Sequence, residues 1–250
     1  EALEFLSLER IQIVASINAA TTVGRHQLST RFTAAVRILV VDYPEISELV
    51  SVYDAFLGTI LKSVPMTDKT FTQAAERERL ANTVVDIYQK TREKFTVDDR
   101  RHYLFTPRDV TQWVRNLSRY DLESENLLDA AAHEANRIFR DRLVGADACG
   151  RFDQQLAGIL RSNFRHTVDI QGVYFTSITS ARGAQGGSSG GEGKEGDDLS
   201  SVTGGKLQRM PEADFKKLVD NGLMLYEREE RDINMLLFQE SLEHVARVDR

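Results

Sequence analysis

Ile11-Gln12-Ile13-Val14-Ala15-Ser16-Ile17, ending in Asn18, is the stretch that decides the fold. A loop from Ala19 to His26 follows it, then Leu28-Ser29-Thr30-Arg31-Phe32, a second apolar run Val36–Val41, and Asp42-Tyr43-Pro44. A short apolar run bounded by polar residues is the pattern of a strand buried on both faces of a parallel sheet. Strand, polar tip, arginine, strand, helix is the order of the back half of an ATP-handling α/β core. The front half, which would hold the phosphates, is absent.

Past Pro44 the pattern turns helical. Ile46, Leu49, Val50, Tyr53, Phe56, Leu57, Ile60 and Leu61 form one apolar stripe, with Pro44 at its start. A long helix carries Leu80, Val84, Ile87, Tyr88 and Phe95. Thr106-Pro107-Arg108-Asp109 is a helix start with a capping-box spacing, and Val110, Trp113, Val114 and Leu117 give that helix its apolar face. Further helices are expected from roughly Glu125 to Val144, around Phe152–Phe164, over Pro211–Asn221 with Gly222 as terminator, and over Asp232–Arg250. Val168–Thr176 alternates like a strand. Ser180–Lys206 holds nine of the 16 glycines and cannot bury enough to order itself, so it is expected to be a flexible insert.

Bulk composition narrows the classes. The 250 residues are 41% apolar and 28% charged, as in a soluble globular protein, and no apolar run is long enough to span a bilayer. A net charge of −6 argues against a nucleic-acid machine, which needs a basic face. The single cysteine, Cys149, excludes an internal disulfide and lies in an expected turn, Gly145–Gly150. The chain starts at Glu1 without a basic-then-apolar leader, so no signal peptide is expected and the chain reads as a piece of a longer polypeptide.

Three polar residues are placed to carry chemistry. Asn18 follows a strand, and ligands of parallel sheets sit beyond the carboxyl ends of strands. Its amide both donates and accepts, so it can hold a water in line with a terminal phosphate; alternatively it caps the strand. Arg31 lies between Leu28 and Phe32, whose spacing of four would bury both in a helical turn and push Arg31 outward. There it can act as an arginine finger, which contributes roughly 10³–10⁵ in rate where it operates, or sit in a surface ion pair. Arg108 lies in the first turn of its helix, where backbone N–H groups favour anions; alternatively it is solvated beside Asp109.

The phosphate loop Gly-x-x-x-x-Gly-Lys-[Ser/Thr] occurs nowhere. No apolar strand ends in paired acids for magnesium, and no metal site is expected. His133-Glu134 begins like a zinc motif, but Arg137 stands where the second histidine would be. Trp113 reads as core.

Several ordered segments resemble dynein heavy chains: Ile11–Ser16, Gly24-Arg25-His26-x-Leu28–Phe32, Val41–Pro44, Lys94–Asp99, His102–Val114, Ile138–Gly145, and Phe238–Val245. They are similar to the third AAA+ module of the motor ring, and Thr96–Asp99 with the form of the Thr111–Val114 helix points to the cytoplasmic dynein of intraflagellar transport. The resemblance implies a fold of α/β plus α: the C-terminal part of an AAA+ P-loop core with parallel strands, then a mainly helical lid. It implies core in residues 1–62, lid in 63–165, a strand, insert (about 180–206) and short helix in 166–228, and the lead-in helix of the next module in 229–250.

On matching positions, Asn18 takes the place of the first sensor, which orients water, and Arg31 that of the finger reaching the preceding module's nucleotide. Arg108 takes the place of the second sensor, contacting its own module's phosphates. Many dyneins carry two prolines after the sensor asparagine; this chain has Ala19-Ala20. The family implies a minus-end-directed microtubule motor of the cytoplasm and cilium or flagellum, with ATP or ADP and Mg in the intact protein and no tight nucleotide binding or hydrolysis by this piece alone. Expected partners are neighbouring modules of the same chain, with intermediate and light chains and the microtubule met through other parts of it. A different outcome is a structural ring segment that only relays conformational change.

Overall fold

The computed structural model describes residues 10–18, 28–170, 172–178, 205–231, 233 and 235–250. The chain forms two compact units, residues 1–43 and 44–250.

In the first unit the described structure is one helical turn, α1 (Thr30–Thr33), begun by Ser29, whose hydroxyl accepts the Phe32 N–H at 3.3 Å. The turn expected around Arg31 is therefore present, but the burial of its flanks is not: Leu28 is 45% and Phe32 53% exposed. The two parallel strands expected at Ile11–Ile17 and Val36–Val41 are not formed here. Neither segment carries a strand, and Val14 and Val41 are 89% and 91% exposed. A parallel strand takes its backbone hydrogen bonds from neighbouring strands, and among the described residues of this unit there are none.

The second unit is helical. α2 (Ile46–Ser63) opens with Glu45, whose N–H donates to Glu48 Oε2 at 2.9 Å, and buries Leu49, Tyr53, Leu57 and Leu61 at every fourth position. That stripe packs on α3 (Ala74–Lys94), where Leu80, Val84, Ile87 and Thr91 are buried. Asp54 on α2 takes a two-pronged bond from Arg77 on α3, at 2.7 and 3.0 Å. α4 (Pro107–Asn116) and α5 (Leu127–Ile138) lie against each other, and the Trp113 indole N–H donates to the Ala131 carbonyl at 2.9 Å. α6 (Ala146–Phe164) completes the core, where Phe152 and Trp113 both pack on Phe139. β1 (Val173–Thr176) pairs antiparallel with β2 (Gln208–Pro211), Val173 opposite Pro211 and Thr176 opposite Gln208. α7 (Glu212–Glu229) and α8 (Gln239–Asp249) follow. Among the described residues no helix is long and apolar enough to cross a membrane.

Several boundaries differ from the sequence expectation. The helix expected over Glu125–Val144 stops at Ile138 and gives way to a tight turn, Arg140–Arg142. The tighter winding swings Arg140 onto Asp153 at 2.7 Å and Arg142 onto Asp109 at 2.9 Å. Cys149 is not in a turn but in the first turns of α6, which begins directly after Gly145 at φ +91°, a conformation open to glycine. α7 runs through Gly222 to Glu229, because nothing there turns the backbone left-handed. α8 starts only at Gln239. Of the glycine-rich stretch, residues 180–204 lie outside the described residues.

Candidate functional site

The first turn of α4 carries Arg108 and is held by contacts from three sides. Thr106 donates both its N–H (2.7 Å) and its hydroxyl (3.1 Å) to the Asp109 carboxylate, closing a capping box, and Pro107 supplies the first helical φ without losing a bond. Asp109 is further engaged by Arg142, whose other arm donates to the Leu104 carbonyl at 2.6 Å and whose guanidinium lies over the Phe105 ring at 4.7 Å. From the other side, the Tyr53 hydroxyl donates to the Pro107 carbonyl at 2.6 Å. Burial pushes the Tyr53 hydroxyl pKa above its ordinary value, so it remains a proton donor. Arg108 itself is exposed and has no hydrogen-bond or ionic partner among the described residues. Its sequence neighbour Asp109 does not pair with it, being held by Thr106 and Arg142.

Arg31 is exposed on α1, and Asn18 is exposed on an irregular segment. Both belong to the first unit, Arg108 to the second. Ala19–Gln27, including the loop that follows Asn18, lies outside the described residues.

A further polar centre went unread in the sequence. Glu134 on α5 is 0% exposed, and its carboxylate accepts from Asn116 Nδ2, the Tyr120 hydroxyl (2.8 Å) and Arg250, whose Nε lies at 2.9 Å. Asn116 is oriented in turn by Gln112 at 2.7 Å. Tyr120 also lies 2.7 Å from His133 Nδ1. Its one proton goes to Glu134, so His133 must carry its own on Nδ1 and donate to the phenol oxygen. Burial, and after it the Glu134 charge, drive the Tyr120 pKa well above 10.0. Burial, then the positive charges of Arg137 and Arg250, drive His133 well below 6.5. The imidazole is therefore neutral and stacked 4.5 Å from the Phe175 ring. A sequence signal existed: Glu134 lies three residues from Ala131 and four from Ile138, on the face that α5 buries.

A second buried acid, Asp129, accepts from His166 (2.7 Å), the Asp169 N–H (3.3 Å) and Arg209 (2.9 Å), so β2 is tied to α5 by charge. Among the described residues no group of histidine, cysteine and acids is placed to hold a metal ion.

Residues 56–148, which run from α2 into the start of α6 and include Arg108 and Glu134, match the family model described as "Dynein heavy chain, ATPase lid domain". Over the full chain there is 39% identity to "Cytoplasmic dynein 2 heavy chain 1" of Tripneustes gratilla and 39% to that of Rattus norvegicus. Identity to "Dynein heavy chain, cytoplasmic" of Caenorhabditis elegans is 32% over 98% of the chain. The chain spans only 6% of the length of the first two proteins and 5% of the third. The higher identity lies on the dynein 2 side, and the chain belongs to the dynein heavy-chain family.

Proposed function

We infer that this chain is a nucleotide-sensing segment of an ATP-driven, minus-end-directed microtubule motor of the dynein 2 type, serving intraflagellar transport in the cilium or flagellum. Within it, residues 1–62 belong to the α/β core of the third AAA+ module and 63–165 to its lid. Residues 229–250 lead into the next module. In the intact heavy chain, the front half of the same AAA+ module would supply the phosphate loop and the strands against which Ile11–Ile17 and Val36–Val41 would pair.

The observation that carries this is Arg108. It is an exposed guanidinium without a counter-ion among the described residues, on a helix start fixed by Thr106, Arg142 and Tyr53, inside the segment that matches the dynein lid. A cation held in place yet left unpaired suits the role of second sensor for phosphates. ATP, with Mg, would supply the phosphoryl chemistry. Asn18 would orient water through its amide, and Arg31 would bring positive charge to the nucleotide of the preceding module.

The test is made in the full heavy chain. Arg108→Ala is expected to weaken nucleotide binding at its own module by about tenfold or more. Arg31→Ala is expected to slow turnover at the preceding module by roughly 10³-fold. Unchanged affinity in the first variant and unchanged turnover in the second would overturn the sensing role. That outcome would instead support a structural segment that only relays conformational change.

A further inference from the structure

Helix α8 is fastened to its unit mainly through charge. Leu242 is its one fully buried side chain, so apolar burial contributes about what a single leucine can. The ionic contacts crowd into the last turn. Arg250 forks onto both oxygens of Glu134 on α5. Asp249 accepts from the Thr176 hydroxyl (2.8 Å) and from the Ser177 N–H and hydroxyl (both 2.6 Å) at the end of β1. Arg247 lies 3.6 Å from Asp141 and 3.1 Å from Glu243 of its own helix. The same helix forms one wall of a cavity of about 370 Å³, through Gln239, Glu243 and Arg247 opposite His133, Asn136 and Phe175.

Glu134 makes this attachment all-or-none. Its neutral donors, Asn116 and Tyr120, remain when α8 departs, but its only cationic hydrogen-bond partner among the described residues departs with the helix. A buried carboxylate stripped of its cation is strongly disfavoured, so docking of the last turn and neutralisation of Glu134 are one event. Asn116 is the last residue of α4, so the lock closes on the helix whose other end carries Arg108.

We propose that α8 is a releasable latch, locked by Arg250 on Glu134 and by Asp249 on Thr176 and Ser177, and that its release unroofs the cavity beneath it without unfolding the helical unit. This rests on the helical unit alone and is independent of the roles of Asn18, Arg31 and Arg108.

Hydrogen exchange on the full heavy chain, followed on the α3 and α8 peptides, tests it. In the wild type, α8 amides should exchange faster than those of α3, because the latch opens locally. Arg250→Met should speed exchange of α8 amides by about a hundredfold. If the unpaired Glu134 also loosens the whole unit in that variant, Glu134→Gln combined with Arg250→Met should restore slow exchange in α3 while α8 stays fast. Wild-type protection of α8 in the double variant, or one common exchange rate for α3 and α8 in every variant, would overturn the latch.

Discussion

The Tyr53 hydroxyl on α2 donates to the carbonyl of Pro107 on α4 at 2.6 Å, joining residues 54 positions apart. Thr111 lies 3.3 Å from the same hydroxyl. The start of the helix that carries Arg108 is thereby anchored to the buried stripe of α2 and not left to its own cap. Tyr53→Phe keeps the ring and removes the bond. The expected loss is about 1 kcal/mol, read as a lower urea midpoint with unchanged slope. An unchanged midpoint would mean that the α4 start is held by Thr106 and Arg142 alone.

His133 ties stability to pH. The unfolded chain takes up its proton near pH 6.5, whereas the folded chain does so well below that value. Between those points the unfolded state binds the extra proton, so stability present at neutral pH is lost as pH falls. The slope from this one group is at most about 1.4 kcal/mol per pH unit. Asp141 works in the opposite sense. Burial raises its folded pKa against the pull of Arg137 and Arg247, so its contribution favours the folded state below 3.8 and is lost as pH rises from there. Urea unfolding of wild type and His133→Gln at pH 7.5 and 5.5 separates the two, because the Asp141 contribution cancels in the comparison. The wild type should lose more stability on acidification than the variant; equal losses would place the neutral imidazole elsewhere.

Two glycines should respond oppositely to the same substitution. At Gly145 a Cβ would meet nothing within 4 Å, yet the backbone sits at φ +91° and ψ 149°. Gly145→Ala should therefore destabilise by about 1–3 kcal/mol through strain alone. Gly222 also has open space, but lies within α7 at an ordinary helical φ. There Gly222→Ala should stabilise α7 by about 0.5–1 kcal/mol. Thermal melts of both variants check the pair, and a shift of the same sign in both would show that space and not backbone conformation governs them.

The helical unit was legible where apolar spacing was regular. α2 and α4 follow from the runs Leu49–Leu61 and Val110–Leu117, and the α4 start from Thr106-Pro107-x-Asp109, because local capping and a buried stripe agree there. Illegible were the elements set by long-range partners. α5 stops at Ile138 so that Arg140 and Arg142 reach Asp153 and Asp109, neither of them near in sequence. Glu134 resembled part of a failed zinc motif, since its four donors come from α4, the turn after it and α8. Ile11–Ile17 and Val36–Val41 have the composition of strands, but composition cannot supply the neighbours that a strand needs. Of the candidate residues, Arg108 lies on a helix start that is written locally, in Thr106-Pro107-x-Asp109.

The strand that closes the glycine-rich stretch has a consequence for the order of assembly. Leu207 donates to the Arg119 carbonyl at 2.8 Å and accepts from the Asp121 N–H at 3.0 Å, and Gln208 reaches Asp121 across 87 residues. Helices α2 to α6 can settle against near neighbours as they leave the ribosome, but this clasp must wait until the polymer has been extended well past α6. Closing so wide a loop is slow compared with helix pairing. During synthesis, then, Tyr120 stays without its Leu207 neighbour until the polymer has passed the glycine-rich stretch.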